Sequence, residues 1–162
     1  MIRVAILTVS DSAAAGKRED LSGPALRARC EEVGWAVVES KVVPDERRLI
    51  SEHLTRWADG EIVSLILTTG GTGVTLRDVT PEATRAVIDR EIPGVAELMR
   101  WKGLEQTKFA VLSRGVVGSR KRALIVNLPG SPKGAVYSLS LIESLVAHVV
   151  DLLAGKTEHC GK

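Results

Sequence analysis

The sequence predicts an α/β domain with a mainly parallel sheet and helices on both faces. Short runs of β-branched residues and leucines, which suit buried strands, alternate along the chain with stretches whose apolar residues recur at helical spacing. This alternation is typical of parallel strands joined by helical crossovers. The 162 residues are the size of one domain and nothing in their composition indicates a second, so we expect a single domain over residues 1–162.

The amino-terminal half predicts two strand–helix units. Ile2–Val9 has the composition of a buried strand and leads into a polar loop without periodicity. A helix is predicted to begin at Ser22, which would cap it ahead of Pro24, and to end at Gly34. A second strand is expected over Trp35–Val43. The next helix would bury one face and end at Gly60; that face carries Leu49, Ile50, Leu54, Trp57 and Ala58.

The carboxyl-terminal half continues the alternation with three further predicted strands. A helix capped by Thr80 follows the third strand, and a shorter helix with Met99 and Trp101, as core or subunit-contact residues, comes next. The last two strands could form a hairpin. The predicted segments are a strand over Ile62–Leu67, a helix from Pro81 to about Arg90, strands over Phe109–Val117 and Ala123–Asn127 around a turn at Gly118–Arg122, and a final helix from about Ala135 to Ala154, either continuous or broken near Ser138–Ser140.

The composition argues against nucleic acid as a partner. Lys and Arg number 22 against 20 Asp and Glu without forming a basic stripe, and the aromatic residues are three Trp, one Tyr and one Phe. Binding along a phosphate backbone needs clustered positive charge, and stacking on bases needs aromatic side chains. Neither requirement is met.

The apolar segments and cysteines predict a soluble, cytoplasmic protein. The first apolar run ends at Asp11, too early for a signal peptide. His148 and Asp151 interrupt the most apolar segment near the carboxyl end, so no membrane span is expected. Cys30 and Cys160 are far apart and form neither a disulfide framework nor a zinc motif.

A glycine-rich segment between the third strand and its helix is the main candidate for a ligand site. Residues 68–81 read T-T-G-G-T-G-V-T-L-R-D-V-T-P. Gly70, Gly71 and Gly73 can adopt positive φ and expose backbone N–H groups to an anion. Asp78 follows at the far end of this glycine loop. A carboxylate beside a phosphate is repulsive without a cation between them, which suggests Mg²⁺ and a nucleotide.

Other polar residues follow the remaining predicted strands. In parallel α/β sheets, ligands bind beyond the carboxyl ends of the strands at a topological switch point. The segments at those ends contain Ser10 and Asp11, Asp45, the glycine loop with Thr69 and Thr72, and the stretch Asn127–Pro132 with Pro129, Gly130 and Ser131. We therefore expect one rim of polar groups.

Each of these features also has a purely structural interpretation. Asp45 and Asp78 precede helices and could simply cap them, and Asn127 could serve a turn. A glycine-rich segment between a strand and a helix is often only a tight turn with no ligand. The standard nucleotide motifs are absent, because Leu76 replaces the third glycine of G-x-G-x-x-G and Val150 stands where a P-loop needs glycine. Two or three carboxylates on one rim would nevertheless repel one another unless they held a metal ion.

Several motifs together closely resemble the molybdopterin adenylyltransferase family, the Mog and MoaB group. They are T-V-S-D at 8–11, T-T-G-G-T-G at 68–73, R-D-V-T-P-E-A-T at 77–84, I-P-G-V-A-E-L-M-R at 92–100, S-R-G at 113–115 and N-L-P-G-S-P at 127–132. The resemblance extends over nearly the whole chain. It implies a three-layer α/β/α fold, usually a trimer, and Mg²⁺-dependent transfer of AMP from ATP to the terminal phosphate of molybdopterin.

The resemblance also implies roles for individual residues. The family's two important aspartates correspond to Asp45 and Asp78, and its pterin and nucleotide loops correspond to the T-G-G-T-G and N-L-P-G-S-P segments. Some MoaB-like members lack the aspartate that Asp45 provides here. Transient contact with molybdopterin synthase or with the molybdate-inserting enzyme is a further implication.

Two other functions remain as alternatives. One is a non-catalytic carrier or scaffold of the MoaB type that binds molybdopterin without chemistry. The other, a GTP-dependent switch protein, is disfavoured by the missing P-loop. The presence of both Asp45 and Asp78 favours the enzyme.

Overall fold

A computed structural model describes residues 1–156 of the chain and contains one six-stranded sheet. The strands lie in the order β2-β1-β3-β6-β5-β4. The four strands β2, β1, β3 and β6 are parallel, whereas β5 is antiparallel to both of its neighbours. The strands are β1 Arg3–Val9, β2 Ala36–Val43, β3 Leu65–Thr69, β4 Arg90–Glu91, β5 Val117–Arg120 and β6 Ala123–Leu128.

Helices cover both faces of this sheet. Along β1 the side chains alternate, with Val4 and Ile6 in one core cluster and Ala5, Leu7 and Val9 in the other. Helices α2, α5 and α6 contribute to the first cluster, and α3 and α4 to the second. The predicted three-layer α/β/α fold is therefore confirmed. The helices are α1 Asp11–Ala14, α2 Ser22–Glu32, α3 Arg47–Asp59, α4 Thr80–Arg85, α5 Pro93–Gly103 and α6 Pro132–Leu153.

The topology changes direction at β1. From β1 the chain passes through α2 to β2 on one side, and then through α3 to β3 on the other side of β1. The carboxyl ends of β1 and β3 therefore diverge into loops on either side of a crevice, where α/β sheets bind ligands. Ser10 and Asp11 follow β1, and the glycine loop follows β3.

Two predicted caps have other functions. Ser22 does not cap α2: its hydroxyl donates to the Gly130 carbonyl at 2.6 Å, while Asp20 accepts the Gly23 N–H at 3.0 Å. Thr80 is buried inside α4 and its hydroxyl donates to the Gly70 carbonyl at 2.9 Å. Ser22 bonds to a residue 108 positions along the chain, and Thr80 bonds across the glycine loop to a residue 10 positions back, so a local capping pattern reveals neither bond.

The largest error in the predicted elements concerns residues 109–122. Phe109–Val117 was expected to be a strand, but Lys108–Leu112 is a 3-10 helix with an exposed apolar side, and its first turn is capped by Thr107. The strand β5 begins only at Val117 and occupies much of the predicted turn. The hairpin with β6 is confirmed, with Lys121 at φ 50° in its turn.

Smaller differences affect element ends. Helix α4 stops at Arg85 instead of continuing to about Arg90, because residues 86–89 turn the chain into the short edge strand β4. The helix α1 lies in the segment predicted as a loop. Helix α6 is continuous through Ser138–Ser140, where the Ser140 hydroxyl bonds back to the Tyr137 carbonyl at 2.7 Å.

Within residues 1–156, α6 is a helix long and apolar enough to cross a membrane by length and composition, with a mean hydropathy of 1.6. The expectation that His148 and Asp151 exclude such a segment is therefore wrong. A core helix meets the same criterion, and α6 contributes residues from Ala135 to Val150 to the core. Cys30 is a buried free thiol, whereas Cys160 and the end of the predicted domain lie outside the described residues.

Candidate functional site

The predicted site residues line two adjoining cavities at the carboxyl edge of the parallel strands. One cavity has a volume of about 500 Å³ and the other about 630 Å³, a range typical of small-molecule sites. The two cavities share Gly70, Gly71, Asp78, Gly130 and Ser131. Thr72, Gly73, Asn127 and Pro129 line only the first, and Ser10, Asp11, Asp45 and Thr69 only the second.

The two cavities differ in chemistry. The first, here the apolar cavity, is lined by Met99, Phe109, Ala110, Leu112 and Tyr137, among others. The second, here the polar cavity, is lined by charged and hydroxyl side chains that include Ser10, Asp11, Arg18, Asp45 and Arg77. An aromatic ring system fits the lining of the apolar cavity, and a charged group fits the lining of the polar one.

The glycine loop forms the wall between the cavities. Gly70 and Gly71 both have positive φ, at 96° and 68°. A side chain at Gly70 would collide with the Val9 carbonyl, and one at Gly71 would collide with the Thr80 hydroxyl. Thr80 also donates its N–H to the Gly71 carbonyl at 3.1 Å. The loop therefore needs glycine at both positions in order to turn against β1 and the start of α4.

Backbone donors of the glycine loop face no internal acceptor. Among residues 1–156, no hydrogen-bond acceptor is found for the N–H groups of Gly71, Thr72 and Gly73. The amino terminus of the 22-residue helix α6 lies beside them, since Ser131 caps α6 and lines both cavities. Consecutive N–H groups and a helix amino terminus both attract anions.

Asp45 is bound to Asp11 by a reciprocal pair of hydrogen bonds. The Asp11 N–H donates to Asp45 Oδ2 and the Asp45 N–H donates to Asp11 Oδ1, both at 3.0 Å. This pair joins the end of β1 to the end of β2. Arg77, from the glycine loop, forms a bidentate ion pair with Asp11 at 2.9 and 2.8 Å. Arg77 lowers the pKa of Asp11 below its usual range, so the Asp11 carboxyl group is ionised and its negative charge is balanced by Arg77.

Asp78 closes the glycine loop on itself. Its Oδ2 accepts the Thr75 N–H at 2.9 Å and the Thr75 hydroxyl at 2.7 Å. The carboxylates of Asp45 and Asp78 both border the loop: a methyl group added at Gly71 would lie 3.1 Å from Asp45 Oδ1, and one at Gly73 would lie 2.8 Å from Asp78 Oδ2. The two aspartates therefore face the same short stretch of backbone.

Two carboxylates of the site, those of Asp45 and Asp78, form no ion pair within residues 1–156. Burial raises the pKa of Asp45 above its usual value, and repulsion from Asp11 and Asp78 adds to this rise. In the described part of the chain, neither Asp45 nor Asp78 forms an ion pair, and no three His, Cys, Asp or Glu side chains are grouped as a metal site. Two carboxylates without a cation suit an ion that takes its remaining ligands from water and phosphate, as Mg²⁺ does.

The cap interpretation of the two aspartates is wrong. The residue that precedes α3 is Glu46, the one that precedes α4 is Val79, and neither helix start has a side-chain cap. Asp45 accepts instead from the backbone of Asp11 after β1, and Asp78 accepts from the backbone of Thr75 within its own loop.

Asn127, expected on the polar rim, has no free amide hydrogen to donate to a ligand. Asn127 is buried, and its amide donates to the hydroxyls of Thr68 at 2.9 Å and Thr84 at 3.0 Å. Its Oδ1 accepts the Val116 N–H at 3.0 Å. These bonds use both amide hydrogens, so the side chain joins β6 to β3, α4 and the segment before β5.

Sequence reasoning did not select several residues that the structure brings to the site. Arg77 directly precedes Asp78, and a basic residue next to a predicted phosphate loop is a sequence signal that could have placed Arg77 at the site. Arg18 and Tyr137 reach the cavities from a loop and from mid-helix, where no local pattern marks them. Phe109 lies in a segment predicted to be a strand, whereas the 3-10 helix that it forms places its ring at the apolar cavity.

Comparison with known proteins gives consistent relatives. The family model described as "Probable molybdopterin binding domain" matches residues 5–148. The chain is 41% identical to a molybdopterin adenylyltransferase of Helicobacter pylori, over 95% of this chain and 89% of that protein. It is 40% identical to the molybdenum cofactor synthesis protein cinnamon of Drosophila melanogaster, over 94% of this chain but only 26% of that longer protein.

Solved structures agree with the sequence matches. The crystal structure of the molybdopterin biosynthesis enzyme MoaB from Thermus thermophilus superposes with a TM-score of 0.89 at 51% identity, over 96% of this chain and 98% of that one. The family match extends over most of the described residues, and relatives of similar length are well above 30% identical. The chain therefore belongs to the molybdopterin-binding domain family of molybdenum cofactor biosynthesis proteins.

Proposed function

We propose that the protein is a molybdopterin adenylyltransferase that transfers AMP from ATP to the terminal phosphate of molybdopterin. The observation that carries this proposal is the pair of carboxylates of Asp45 and Asp78, which form no ion pair with a side chain of residues 1–156 and border the glycine loop where two cavities meet. Two adjoining cavities suit two substrates. Relatives of similar length that are named molybdopterin adenylyltransferase support the same reaction.

In this reaction a terminal phosphate oxygen of molybdopterin forms a bond to the α-phosphorus of ATP. The bond from that phosphorus to the oxygen bridging to the β-phosphate breaks, and pyrophosphate leaves with the electron pair. Both reactants are polyanions, so the main task of the protein is to hold them together and to neutralise charge. Positioned N–H donors do this without reorganisation during the reaction.

Asp45 and Asp78 fit Mg²⁺. Burial and neighbouring carboxylates make ionised Asp45 costly without a cation, and Mg²⁺ is commonly held by one or two carboxylates together with substrate phosphates. When bound, Mg²⁺ supplies positive charge that offsets the charge of the phosphate groups during transfer. The carboxylates of Asp45 and Asp78 would hold the Mg²⁺, whereas the Asp11 carboxylate is already paired with Arg77.

The remaining residues of the rim bind and orient the substrates. The N–H groups of Gly71, Thr72 and Gly73, together with the amino terminus of α6 at Ser131, donate to phosphate oxygens at the junction of the cavities. Arg18 and Arg77 in the polar cavity attract the polyphosphate. The apolar cavity, with Met99, Phe109 and Tyr137, takes an aromatic ring system of one substrate.

The same proposal extends to assembly and location. Trp101 on α5 and Val111 on the 3-10 helix are large, exposed apolar side chains that line neither cavity, which supports their burial against another copy in a homotrimer. We place the reaction in the cytoplasm. Transient contact with molybdopterin synthase or with the molybdate-inserting enzyme would pass on the substrate and product.

Pyrophosphate release tests the proposal. With ATP and Mg²⁺ present, the chain should release pyrophosphate only when molybdopterin is added. Tight binding of molybdopterin without any release of pyrophosphate would instead identify a non-catalytic carrier. Selective high-affinity binding of GTP would favour the switch-protein alternative.

A further inference from the structure

Arg114 connects the segment before β5 to the glycine loop through several hydrogen bonds. Its Nε donates to the Gly73 carbonyl at 2.7 Å and its Nη2 donates to the Asp78 carbonyl at 2.8 Å. Its backbone N–H donates to the Thr72 carbonyl at 2.9 Å. Its Nη1 forms an ion pair with Glu82 on α4. One residue thus fixes both ends of the loop segment 72–78 and the helix that follows.

These bonds require an arginine. The planar guanidinium offers five N–H donors in a fixed arrangement, so it can bond to two carbonyls and a carboxylate at the same time. A lysine ammonium is a single point with three donors and cannot span the separate positions of Gly73, Asp78 and Glu82. Arg114 also supplies the counter-charge of Glu82 through the Oε1 atom and lowers the pKa of that carboxyl group. The other oxygen of Glu82, Oε2, is buried and has no partner among the described residues.

The residues on either side of Arg114 are bound by a second arginine, Arg100. Arg100 on α5 donates from Nη1 to the Gly115 carbonyl at 3.1 Å and to the Ser113 carbonyl at 3.4 Å. Ser113 and Gly115 line the apolar cavity, whereas Arg114 lines neither cavity. The guanidinium therefore points away from the substrates and toward the back of the glycine loop.

We propose that Arg114 is a positioning residue that holds Asp78 and the N–H donors of Gly71–Gly73 in the geometry that the reaction needs. This inference rests on the proposed function. The carbonyls of Thr72, Gly73 and Asp78 are bound on the Arg114 side, which leaves the loop N–H groups and the Asp78 carboxylate directed to the cavities. Arg114 acts without touching either substrate.

The test compares Arg114→Lys with a matched control, Arg120→Lys. Arg120 also pairs with a carboxylate, Asp59, and donates to a backbone carbonyl, that of Val87, but it lines neither cavity. The amides of Thr75 and Asp78 are hydrogen-bonded within the loop, so their hydrogen exchange should become faster in Arg114→Lys and stay unchanged in Arg120→Lys. The kcat of Arg114→Lys should fall about 10- to 100-fold, as expected for residues that orient a metal ligand, with the KM for molybdopterin nearly unchanged.

Unchanged exchange at the Thr75 and Asp78 amides in Arg114→Lys, or an equal increase there in Arg120→Lys, would overturn the inference. If Arg114→Lys does not fold, the double variant Arg114→Met with Glu82→Gln removes the unpaired carboxylate and gives the same comparison. If the parent chain releases no pyrophosphate, the proposed function fails, while hydrogen exchange still decides the role of Arg114. A kcat at the parent value together with faster exchange would show that the loop geometry does not limit the reaction and would also overturn it.

Discussion

Replacing Asp45 with asparagine separates its chemical role from its structural one. Asparagine keeps a carbonyl oxygen that can accept the Asp11 N–H, now 3.0 Å from Asp45 Oδ2. Exchanging a charge-assisted hydrogen bond for a neutral one costs about 1 kcal/mol. Relief of the repulsion from Asp11 and Asp78, and of the burial of a charge, acts in the opposite direction. We expect the free energy of unfolding to change by less than about 1 kcal/mol, and Tm by less than about 4 °C.

The effect on turnover should be much larger. Loss of one fixed electrostatic group that acts on developing charge typically lowers kcat by about 10² to 10³, which corresponds to about 2.7–4 kcal/mol. The assay is molybdopterin-dependent pyrophosphate release at saturating ATP and Mg²⁺, with Tm and molybdopterin affinity measured on the same samples. Asp89→Asn is the matched control, since Asp89 also accepts one backbone N–H, that of Lys121 at 2.8 Å, and lines neither cavity. A kcat for Asp45→Asn near that of the parent would refute the reasoning.

The remaining predictions concern stability, metal binding and assembly. Asn127→Ala leaves the buried Val116 N–H without its acceptor, so chemical denaturation should show a loss of about 1–3 kcal/mol; a change near zero would contradict the structural role of Asn127. The rise in Tm on adding Mg²⁺ should grow as pH increases through the raised pKa of Asp45 and should be much smaller in Asp45→Asn; equal rises at all pH values would contradict the metal assignment. Light scattering at micromolar concentration should give three times the 17.4 kDa chain mass, and a monomeric mass would exclude the trimer.

The sign of the pH dependence follows from the direction of the Asp45 shift. Its pKa is raised in the folded chain, so its contribution to stability without metal is fully present below the unfolded pKa and is lost as pH rises through the folded pKa. Mg²⁺ binds the ionised carboxylate and therefore restores more stability at neutral than at mildly acidic pH. Asp11 behaves in the opposite way, since Arg77 lowers its pKa and its contribution is lost as pH falls.

The general architecture and the location of the rim could be predicted from local patterns. The predicted strand Ile62–Leu67 ahead of the glycines, and Asp45 shortly after the predicted strand Trp35–Val43, place polar groups at strand ends, and parallel strands bring those ends to one edge. The order of the elements is enough to predict this edge without knowledge of the individual side-chain contacts.

What could not be predicted depends on contacts between distant segments. Arg114 is 41 residues from Gly73, and Asn127 is 59 residues from Thr68, so no local periodicity reveals their hydrogen bonds. The apolar run Phe109–Leu112 has the composition of a strand, but as a 3-10 helix it leaves large apolar side chains exposed beside a cavity. In that segment, tertiary placement overrides the preference of the sequence for a strand.

Transfer of a labelled adenylyl group tests the central claim most directly. The chain is incubated with Mg²⁺, molybdopterin and ATP that carries radiolabel at the α-phosphate, and the products are separated from protein and from free nucleotide. The account predicts that the label is recovered on molybdopterin in an amount equal to the pyrophosphate released, and that Asp45→Asn gives little of either. Molybdopterin that binds tightly to the parent chain but remains unlabelled would contradict it.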